Sequence, residues 1–369
     1  MTPGLSVRGV TRGELRAGVP PVGLDDPDGL AGWHPGKRRA VLANPLAGGD
    51  DEVVQLLGVA ERRIVGRVDL IAGAIVVEGT PLPVVWGSAL AVPEVWRHTG
   101  IGLMLILRMQ SAGPLVGACG ISQVVRPIYE KLNWAILPMA RHVLVRRSRS
   151  FLASILRPAA LAAPIAPLAD AVLGAPRAMV GARAAAAARR YRVETATTLP
   201  DDLAPLLVAR DAAAGHRSPA WMEWLLAHDF DDLPSRRKAL FVVRDRTDGQ
   251  VLGYFLVKAR FFEQATQRDI RNVAIGSVQD WIGVAPDRLS DATLVWMAVD
   301  AALALGVDAV EVCTADASLS AALARGGMLR QGTLDFVFRA APRTLLSAPE
   351  WRDPRRWRLR PAESDNFFT

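Results

Sequence analysis

The sequence predicts an α/β protein with two domains, each a mixed, mostly antiparallel sheet flanked by helices. Three observations lead to this fold class. Apolar strand patterns run through residues 53–92, and an apolar helical pattern follows at residues 101–110. A similar order of strands and helices returns between residues 193 and 325. The chain has 369 residues, half of them hydrophobic, which is enough for about two domains with sizeable cores.

The first domain is predicted over residues 1–148. Its strands are expected at residues 53–60, 63–77, 83–92 and near 115–121. Glu78-Gly79 supplies a turn between the second and third of them, because glycine adopts turn conformations without steric cost. The first 50 residues are too rich in Gly and Pro to form two full helices.

Residues 149–191 are predicted to form a Pro/Ala-rich linker, and residues 192–369 a second domain with a basic C-terminal tail. The linker ends in an alanine-rich stretch at 184–190, which favours a short helix. In the second domain a strand begins at Val193, and a capped helix follows it. Further strands are expected at 239–245, 249–259, 274–283 and 309–313, and helices at 292–304 and 318–325.

The connection between a strand and a helix in the first domain is the most informative feature of the chain. Gly100 and Gly102 separate the strand at 83–92 from the apolar helix at 101–110. A helix N-terminus offers unpaired backbone N–H groups and the positive end of the helix dipole, and glycine lets a phosphate approach closely. The connection therefore predicts a diphosphate site. The helix has almost no polar face, so we expect the linker or the second domain to cover it.

The residues around these glycines resemble a known motif. The stretch Val92-Pro-Glu-Val-Trp-Arg97-His-Thr-Gly100-Ile-Gly102 resembles motif A of the GNAT superfamily of N-acetyltransferases. In that family an Arg/Gln-x-x-Gly-x-Gly/Ala loop holds the pyrophosphate of acetyl-CoA. Further along, Tyr129-Glu-Lys-Leu-Asn-Trp134 resembles the family's Tyr-x-x-x-Gly-Phe segment, with Asn133 in place of Gly and Trp134 in place of Phe. The resemblance covers residues 50–145.

The resemblance implies an acetyl-CoA site in the first domain. The residues implied in cofactor binding are Ala91, Val92, Arg97, His98, Thr99, Gly100, Ile101, Gly102 and Ser122. Ser122 occupies the position at which many members carry an Asn that contacts the cofactor. A backbone N–H near Ala91 or Val92 would meet the oxyanion. Tyr129 would be the general acid, because a phenol with a pKa of about 10 is protonated at neutral pH and can donate to a thiolate.

The second domain resembles a degenerate copy of the same fold. Leu323 stands where the tyrosine would be, and the connection at 283–291 lacks the Arg-x-x-Gly-x-Gly pattern. This copy is therefore not expected to bind CoA. Asp280, on the strand at 274–283, is its candidate catalytic carboxylate. The other candidates for a general base are Glu78, Glu94 and His98, and the sequence does not choose among them.

Charge and composition limit the other classes of partner. The net charge is +7, with 40 arginines and four lysines. Only residues 141–149 and the tail 351–360 approach a cluster of basic residues with aromatics, and both are interpreted as solvated basic surface, so no specific nucleic acid is expected. Three prolines and one arginine interrupt the apolar stretch 150–170, which leaves a linker packed on protein or a peripheral membrane contact. The two cysteines and the scattered histidines predict neither a disulfide framework nor a metal site. No secretory signal is visible, which predicts a cytoplasmic protein.

These observations predict an acetyl-CoA-dependent N-acyltransferase that acts on a small-molecule or glycan-linked amine. Two alternatives stay open: a CoA-binding regulatory or sensor module without turnover, and an aminoacyl or long-chain acyl transferase. Neither the acceptor nor the oligomeric state follows from the sequence.

Overall fold

Two compact units make up the chain, each built from separate segments of the sequence. In this computed structural model, the described residues are 4–18, 23–156, 158–207, 213–229, 237–263, 270–341 and 348–363. Unit 1 comprises Met1–Pro138, Ala209–Asp232 and Leu334–Thr369. Unit 2 comprises Met139–Val208 and Leu233–Thr333.

Unit 1 contains one mixed sheet. In sheet order its strands are β1 (Leu5–Thr11), β2 (Val53–Ala60), β3 (Arg63–Val77), β4 (Thr80–Ala91), β5 (Leu115–Cys119) and the 334–340 part of β13 (Leu329–Ala340). Neighbouring strands are antiparallel except β4 and β5, which are parallel. Two short strands, β8 (Ala213–Gly215) and β14 (Trp357–Arg358), pair with each other, and β8 also pairs with β3.

Helices flank this sheet. Among the described residues of unit 1 they are α1 (Arg12–Ala17), α2 (Pro35–Leu42), α3 (Ile101–Met109), α4 (Arg126–Lys131) and α8 (Pro219–Ala227). The sheet face under α3 and α4 forms a core in which Leu105 and Tyr129 pack with Val68 and Val116. The apolar side chains of α3 and of the strands below it pack together in this core. This packing holds the start of α3 close to the end of β4.

The position of α3 depends on a glycine in β2. A Cβ atom at Gly58 would lie 2.5 Å from Cγ1 of Ile101, so only glycine lets the first turn of α3 approach the sheet this closely. Leu103 and Leu107, on the side of α3 away from the sheet, are 40% and 43% exposed. The expectation that the linker or the second domain covers this helix stays a prediction.

Unit 2 repeats the strand order of unit 1. Its strands are β7 (Tyr191–Ala196), β9 (Arg237–Asp245), β10 (Val251–Phe262), β11 (Val273–Gly283), β12 (Ala309–Thr314) and the 139–145 part of β6 (Ala135–Val145). Only β11 and β12 are parallel neighbours in this series. The described helices of unit 2 are α5 (Arg149–Ile155), α6 (Ala162–Val172), α7 (Gly174–Arg190), α9 (Asp291–Ala304) and α10 (Ala317–Arg325).

Each unit receives its last strand from the other half of the chain. In unit 1, β13 pairs with β5, with Phe336 opposite Cys119. In unit 2, β6 pairs with β12, with Val145 opposite Ala309. The predicted domains, 1–148 and 192–369 with a linker at 149–191, place β6 in the first domain and β13 in the second. They miss the exchange because the side-chain pattern of a strand does not identify the strand with which it pairs. Residues 149–190 also differ from a linker in holding three helices of unit 2.

The predicted mixed α/β class with helices on the sheets is confirmed. The strands at 53–60 and 63–77 have the predicted bounds, and α3 ends one residue before the predicted end. The helix expected after β7 is only a 3₁₀ turn at Ala204–Leu206, where Pro200 and Pro205 each lack an N–H donor. In the part of the chain that the structure describes, no helix is both long and apolar enough to cross a membrane.

Candidate active site

The predicted phosphate loop joins β4 to α3. After Val92, residues Glu94–Thr99 form a 3₁₀ turn, in which Nε of Arg97 donates to the Val92 carbonyl at 3.3 Å. Gly100 then adopts the left-handed conformation, with φ of 85°, and begins α3. Most other residues are strained in this conformation, so the glycine sets the path of the chain into the helix.

The N-terminus of α3 has no cap of its own. No side chain caps it, and the amide of Met104 is the first to bond back along the helix, to the Gly100 carbonyl at 3.0 Å. The preceding amides, including those of Ile101 and Gly102, have no acceptor within the helix. Gly100 and Arg97 are exposed. These amides, the helix dipole and a nearby guanidinium are suited to a diphosphate.

A β-bulge in β4 precedes this loop. The register between β3 and β4 shifts after Ser88, so that Ala89 and Leu90 together face one residue of β3 before pairing resumes at Ala91. Ala89 has a positive φ of 51°. The parallel pairing between β4 and β5 ends at Gly87. Because a bulge leaves backbone groups outside the ladder, polar groups become available where β4 and β5 separate.

Tyr129 lies on the face of α4 that packs against the sheet. It is 3% exposed, and its ring meets that of Trp134 edge-on at 4.8 Å. Burial raises the pKa of Tyr129 to about 12, so the hydroxyl keeps its proton across the neutral range. Asn133, after α4, has φ of 58°. Asparagine accepts this conformation more readily than most residues, which explains how it replaces the glycine of the family segment.

The predicted cofactor residues all lie in unit 1. Ala91 and Val92 end β4, and residues 97–102 form the connection to α3. Ser122 is exposed in the loop before α4, where its carbonyl accepts the amide of Arg126 at 3.0 Å. Among the candidate bases, Glu94 and His98 are exposed on the 3₁₀ turn, and Glu78 is exposed in the turn between β3 and β4. The roles of these residues stay predictions.

Asp280 belongs to unit 2 and is fully buried. Its carboxylate accepts a hydrogen bond from the Tyr254 hydroxyl at 2.6 Å. Here β11 also has a bulge, since Leu256 faces Asp280 while Val257 faces Val278. A buried carboxylate bonded to a phenol has the pattern of a structural hydrogen bond. The catalytic role of Asp280 stays a prediction.

A buried polar cluster beside the β4 bulge was not predicted from the sequence. Nζ of Lys37, on α2, donates to Oδ2 of Asp69 at 2.6 Å and to Oγ of Ser88 at 3.1 Å. Nε2 of Gln55 donates to Oδ1 of Asp69 at 2.9 Å. All four side chains are buried. The sequence does contain one indication of this cluster: Gln55 and Asp69 are polar residues within two otherwise apolar strands. Buried polar side chains need hydrogen-bond partners, so the two residues could have been predicted to share one.

Trp86 covers the sheet on the same face as Ser88, because residues two apart on a strand share a face. Its indole spans the neighbouring strands. A Cβ atom at Gly73 of β3 would lie 2.7 Å from Nε1, and one at Gly117 of β5 would lie 2.6 Å from Cζ3. Phe336 meets the indole edge-on at 5.7 Å. Trp86 also lines an apolar cavity, together with Ile75, Val84, Leu115, Phe336 and Phe338.

The fold is shared with N-acyltransferases of known structure. N-myristoyltransferase from Saccharomyces cerevisiae with bound myristoyl-CoA is 13% identical, with a TM-score of 0.52 over 81% of this chain and 73% of the other. A GCN5-related N-acetyltransferase from Anabaena variabilis is 11% identical, with a TM-score of 0.51 over 91% and 73%. No family model and no curated protein sequence matches the chain. The resemblance to the GNAT superfamily is thus confirmed as a shared fold.

Proposed function

We propose that the chain is an acyl-CoA-dependent N-acyltransferase that moves an acetyl group from acetyl-CoA directly to a primary amine. A small-molecule or glycan-linked acceptor and a cytoplasmic location are parts of the same proposal. The observation that carries it is the continuous stretch from the bulge at Ala89 to the uncapped start of α3 at Gly100. The similar fold of a protein solved with myristoyl-CoA supports a thioester of CoA as the donor.

In this proposal each part of the stretch has one task. The first amides of α3 and the Arg97 side chain hold the pyrophosphate of the donor. The pantetheine arm runs back toward the point where β4 and β5 separate after Gly87. Backbone N–H groups around Ala89 to Ala91 then meet the thioester carbonyl, where they stabilise the charge that develops on its oxygen.

The reaction is a direct transfer in two steps. The neutral amine attacks the thioester carbon, the C–N bond forms, and the carbonyl electron pair moves onto oxygen. When the carbonyl re-forms, the C–S bond breaks and the thiolate takes the proton of Tyr129. The amine nitrogen gives up its extra proton to water or to a base, so that Tyr129 can be reprotonated. The raised pKa of Tyr129 suits a group that must arrive protonated at each turnover.

Trp86 supports a short acyl group over a long one. Residues two apart on a strand are about 6.6 Å apart, so an acyl chain that passes Ser88 on this face meets the indole next. Gly73 and Gly117 hold the indole flat across three strands. The apolar cavity lined by Phe336 and Phe338 is on its far side, toward Val84. In this arrangement an acetyl group ends before the indole, whereas a long chain would have to displace it.

Calorimetric titration of acetyl-CoA into the full chain tests the proposal. Gly100→Asp should weaken binding about 100-fold or more, because a carboxylate would compete with the pyrophosphate for the same amides. Gly306→Asp is the matched control: Gly306 also has a positive φ, of 83°, and a Cβ atom at either glycine meets nothing within 4 Å. Equal binding by both variants would contradict the phosphate loop. Binding without turnover of any amine would favour the sensor alternative.

A further inference from the structure

Helices α5 to α7 of unit 2 and their connections expose many large apolar side chains. These side chains are Ile155, Leu161, Ile165, Leu168, Val172 and Met179. Leu168 and Val172 are each 71% exposed and lie one turn apart on one face of α6. Exposed apolar side chains that are concentrated in one segment in this way indicate an interaction site.

α6 is held with this apolar face outward. Its inner face consists of small residues, with Ala162 and Ala166 buried. The carboxylate of Asp170 accepts the Ser148 amide at 2.7 Å, and the Ser148 hydroxyl donates to the Ala166 carbonyl at 3.3 Å. A helix that serves only the protein core turns its leucine and isoleucine inward. On α6 the alanines face inward instead, and hydrogen bonds fix that orientation.

The same part of the chain carries the net charge of the protein. Residues 146–190 contain eight arginines, no lysine and a single acid, Asp170, which gives a net charge of +7. The whole chain also has a net charge of +7, so the remainder is neutral overall. Arg147, Arg149, Arg189 and Arg190 are exposed. Exposed apolar surface and concentrated positive charge therefore occur together in one segment.

From this we infer that residues 146–190 form a peripheral binding surface for an anionic lipid bilayer. The aliphatic side chains of α6 enter the boundary between headgroups and acyl chains, and the arginines contact headgroup phosphates. A nucleic acid would use the same arginines but would leave Leu168 and Val172 in water. The combination of both features therefore favours lipid. This inference is independent of the acetyltransferase proposal, because none of its residues belongs to the candidate active site.

Flotation of the full chain with lipid vesicles tests the inference. Vesicles of phosphatidylcholine with about one third phosphatidylglycerol should carry the protein, neutral phosphatidylcholine vesicles should carry much less, and added salt should release it. Leu168→Ser/Val172→Ser should weaken the partitioning about tenfold or more. Val95→Ser/Val124→Ser is the matched control, since these side chains of unit 1 are 79% and 83% exposed. It should bind vesicles as the unaltered chain does.

A second pair of variants tests the charge separately. Arg149→Gln/Arg189→Gln should weaken binding to anionic vesicles about 25-fold, or about fivefold for each arginine, whereas Arg62→Gln/Arg108→Gln should not. All four arginines are exposed, so circular dichroism should show the fold unchanged in each variant.

Three results would overturn the lipid surface. The first is a chain that does not float with anionic vesicles, or that floats equally with neutral ones. The second is an α6 double variant that floats like the unaltered chain. The third is binding elsewhere: to an RNA oligonucleotide without vesicle binding, or to a second copy of the chain, shown by a dimer that the α6 variant converts to monomer.

Discussion

Units 1 and 2 share a strand order, and in each a bulge follows the parallel-paired part of β4 or β11. The helices that come next, α3 and α9, begin differently. In unit 1, Gly100 begins α3 and no side chain caps it. In unit 2, the Ser290 hydroxyl accepts the Thr293 amide at the start of α9, and Asp291 places a negative charge in its first turn. The second helix thus has a side-chain cap at its N-terminus, whereas the first has none. Under the proposed function, this difference confines the CoA site to unit 1.

The helix that follows the second parallel strand also differs between the units. Tyr129 is on α4 in unit 1, and Leu323, fully buried in the core of unit 2, is on α10. Both helices are followed by a residue of positive φ, Asn133 in one and Gly327 in the other. The two helices therefore end alike, but α10 has no tyrosine at the position of Tyr129.

The largest expected effect concerns this tyrosine. Tyr129→Phe should lower kcat about 100- to 10,000-fold, because the departing thiolate loses its proton donor. The dissociation constant of acetyl-CoA should stay within about twofold, since the phosphate loop is intact. Leu323→Phe, the matched change in unit 2, should leave kcat unaltered. Steady-state kinetics and calorimetry measure both quantities; an unchanged kcat in Tyr129→Phe would leave Tyr129 as a core residue only.

The next effect contrasts the ion pairs of the two units. Lys37→Met leaves the buried Asp69 carboxylate unpaired and should lower the free energy of unfolding by about 3–5 kcal/mol. Arg192→Met removes a pair with Glu194 in which the side chains are 65% and 30% exposed, and it should lower the free energy of unfolding much less. Urea denaturation at neutral pH measures both. The double variant Lys37→Met/Asp69→Leu should recover most of the loss, and failure to do so would show that the charge itself is needed.

Alkaline pH should destabilise the protein through Tyr129. The folded pKa of about 12 is above the ordinary value of 10.0 because burial favours the neutral phenol. This stabilisation is complete below pH 10 and is lost as the pH rises through 12, since the unfolded phenol ionises first. The loss should be about 2–3 kcal/mol. Denaturation curves in this pH window should fall more steeply for the unaltered chain than for Tyr129→Phe, and parallel curves would contradict the assignment.

The smallest effect concerns the acyl group. Trp86→Ala should raise the affinity for octanoyl-CoA relative to acetyl-CoA about tenfold or more, because extra methylenes gain an apolar pocket. Phe338→Ala enlarges the same cavity but leaves Trp86 in place, and should not change this ratio. Calorimetry with both thioesters provides the measurement. An unaltered chain that already prefers octanoyl-CoA would favour the long-chain alternative, and Trp86→Leu serves if the alanine variant does not fold.

Local patterns allowed the sequence to predict much of unit 1. The apolar runs of β2 and β3 and the glycines at the start of α3 act over a few residues, and each was placed correctly. Contacts between distant segments could not be predicted in the same way. Lys37 reaches Asp69 across 32 residues, and Arg126 pairs with Asp335 across 209. Nothing in a single strand's periodicity selects such partners, so the polar cluster and the exchanged strands were missed.

The exchange of β6 and β13 also constrains how the protein can be made. The sheet of unit 1 remains open at β5 until residue 340 has been synthesised, although its first strand begins at Leu5. The edge of β5 therefore stays unpaired until β13 has left the ribosome. Cutting the gene between its two halves would leave each product without one edge strand. Each half expressed alone would then expose an unpaired strand edge, so we do not expect either half to fold as an independent module.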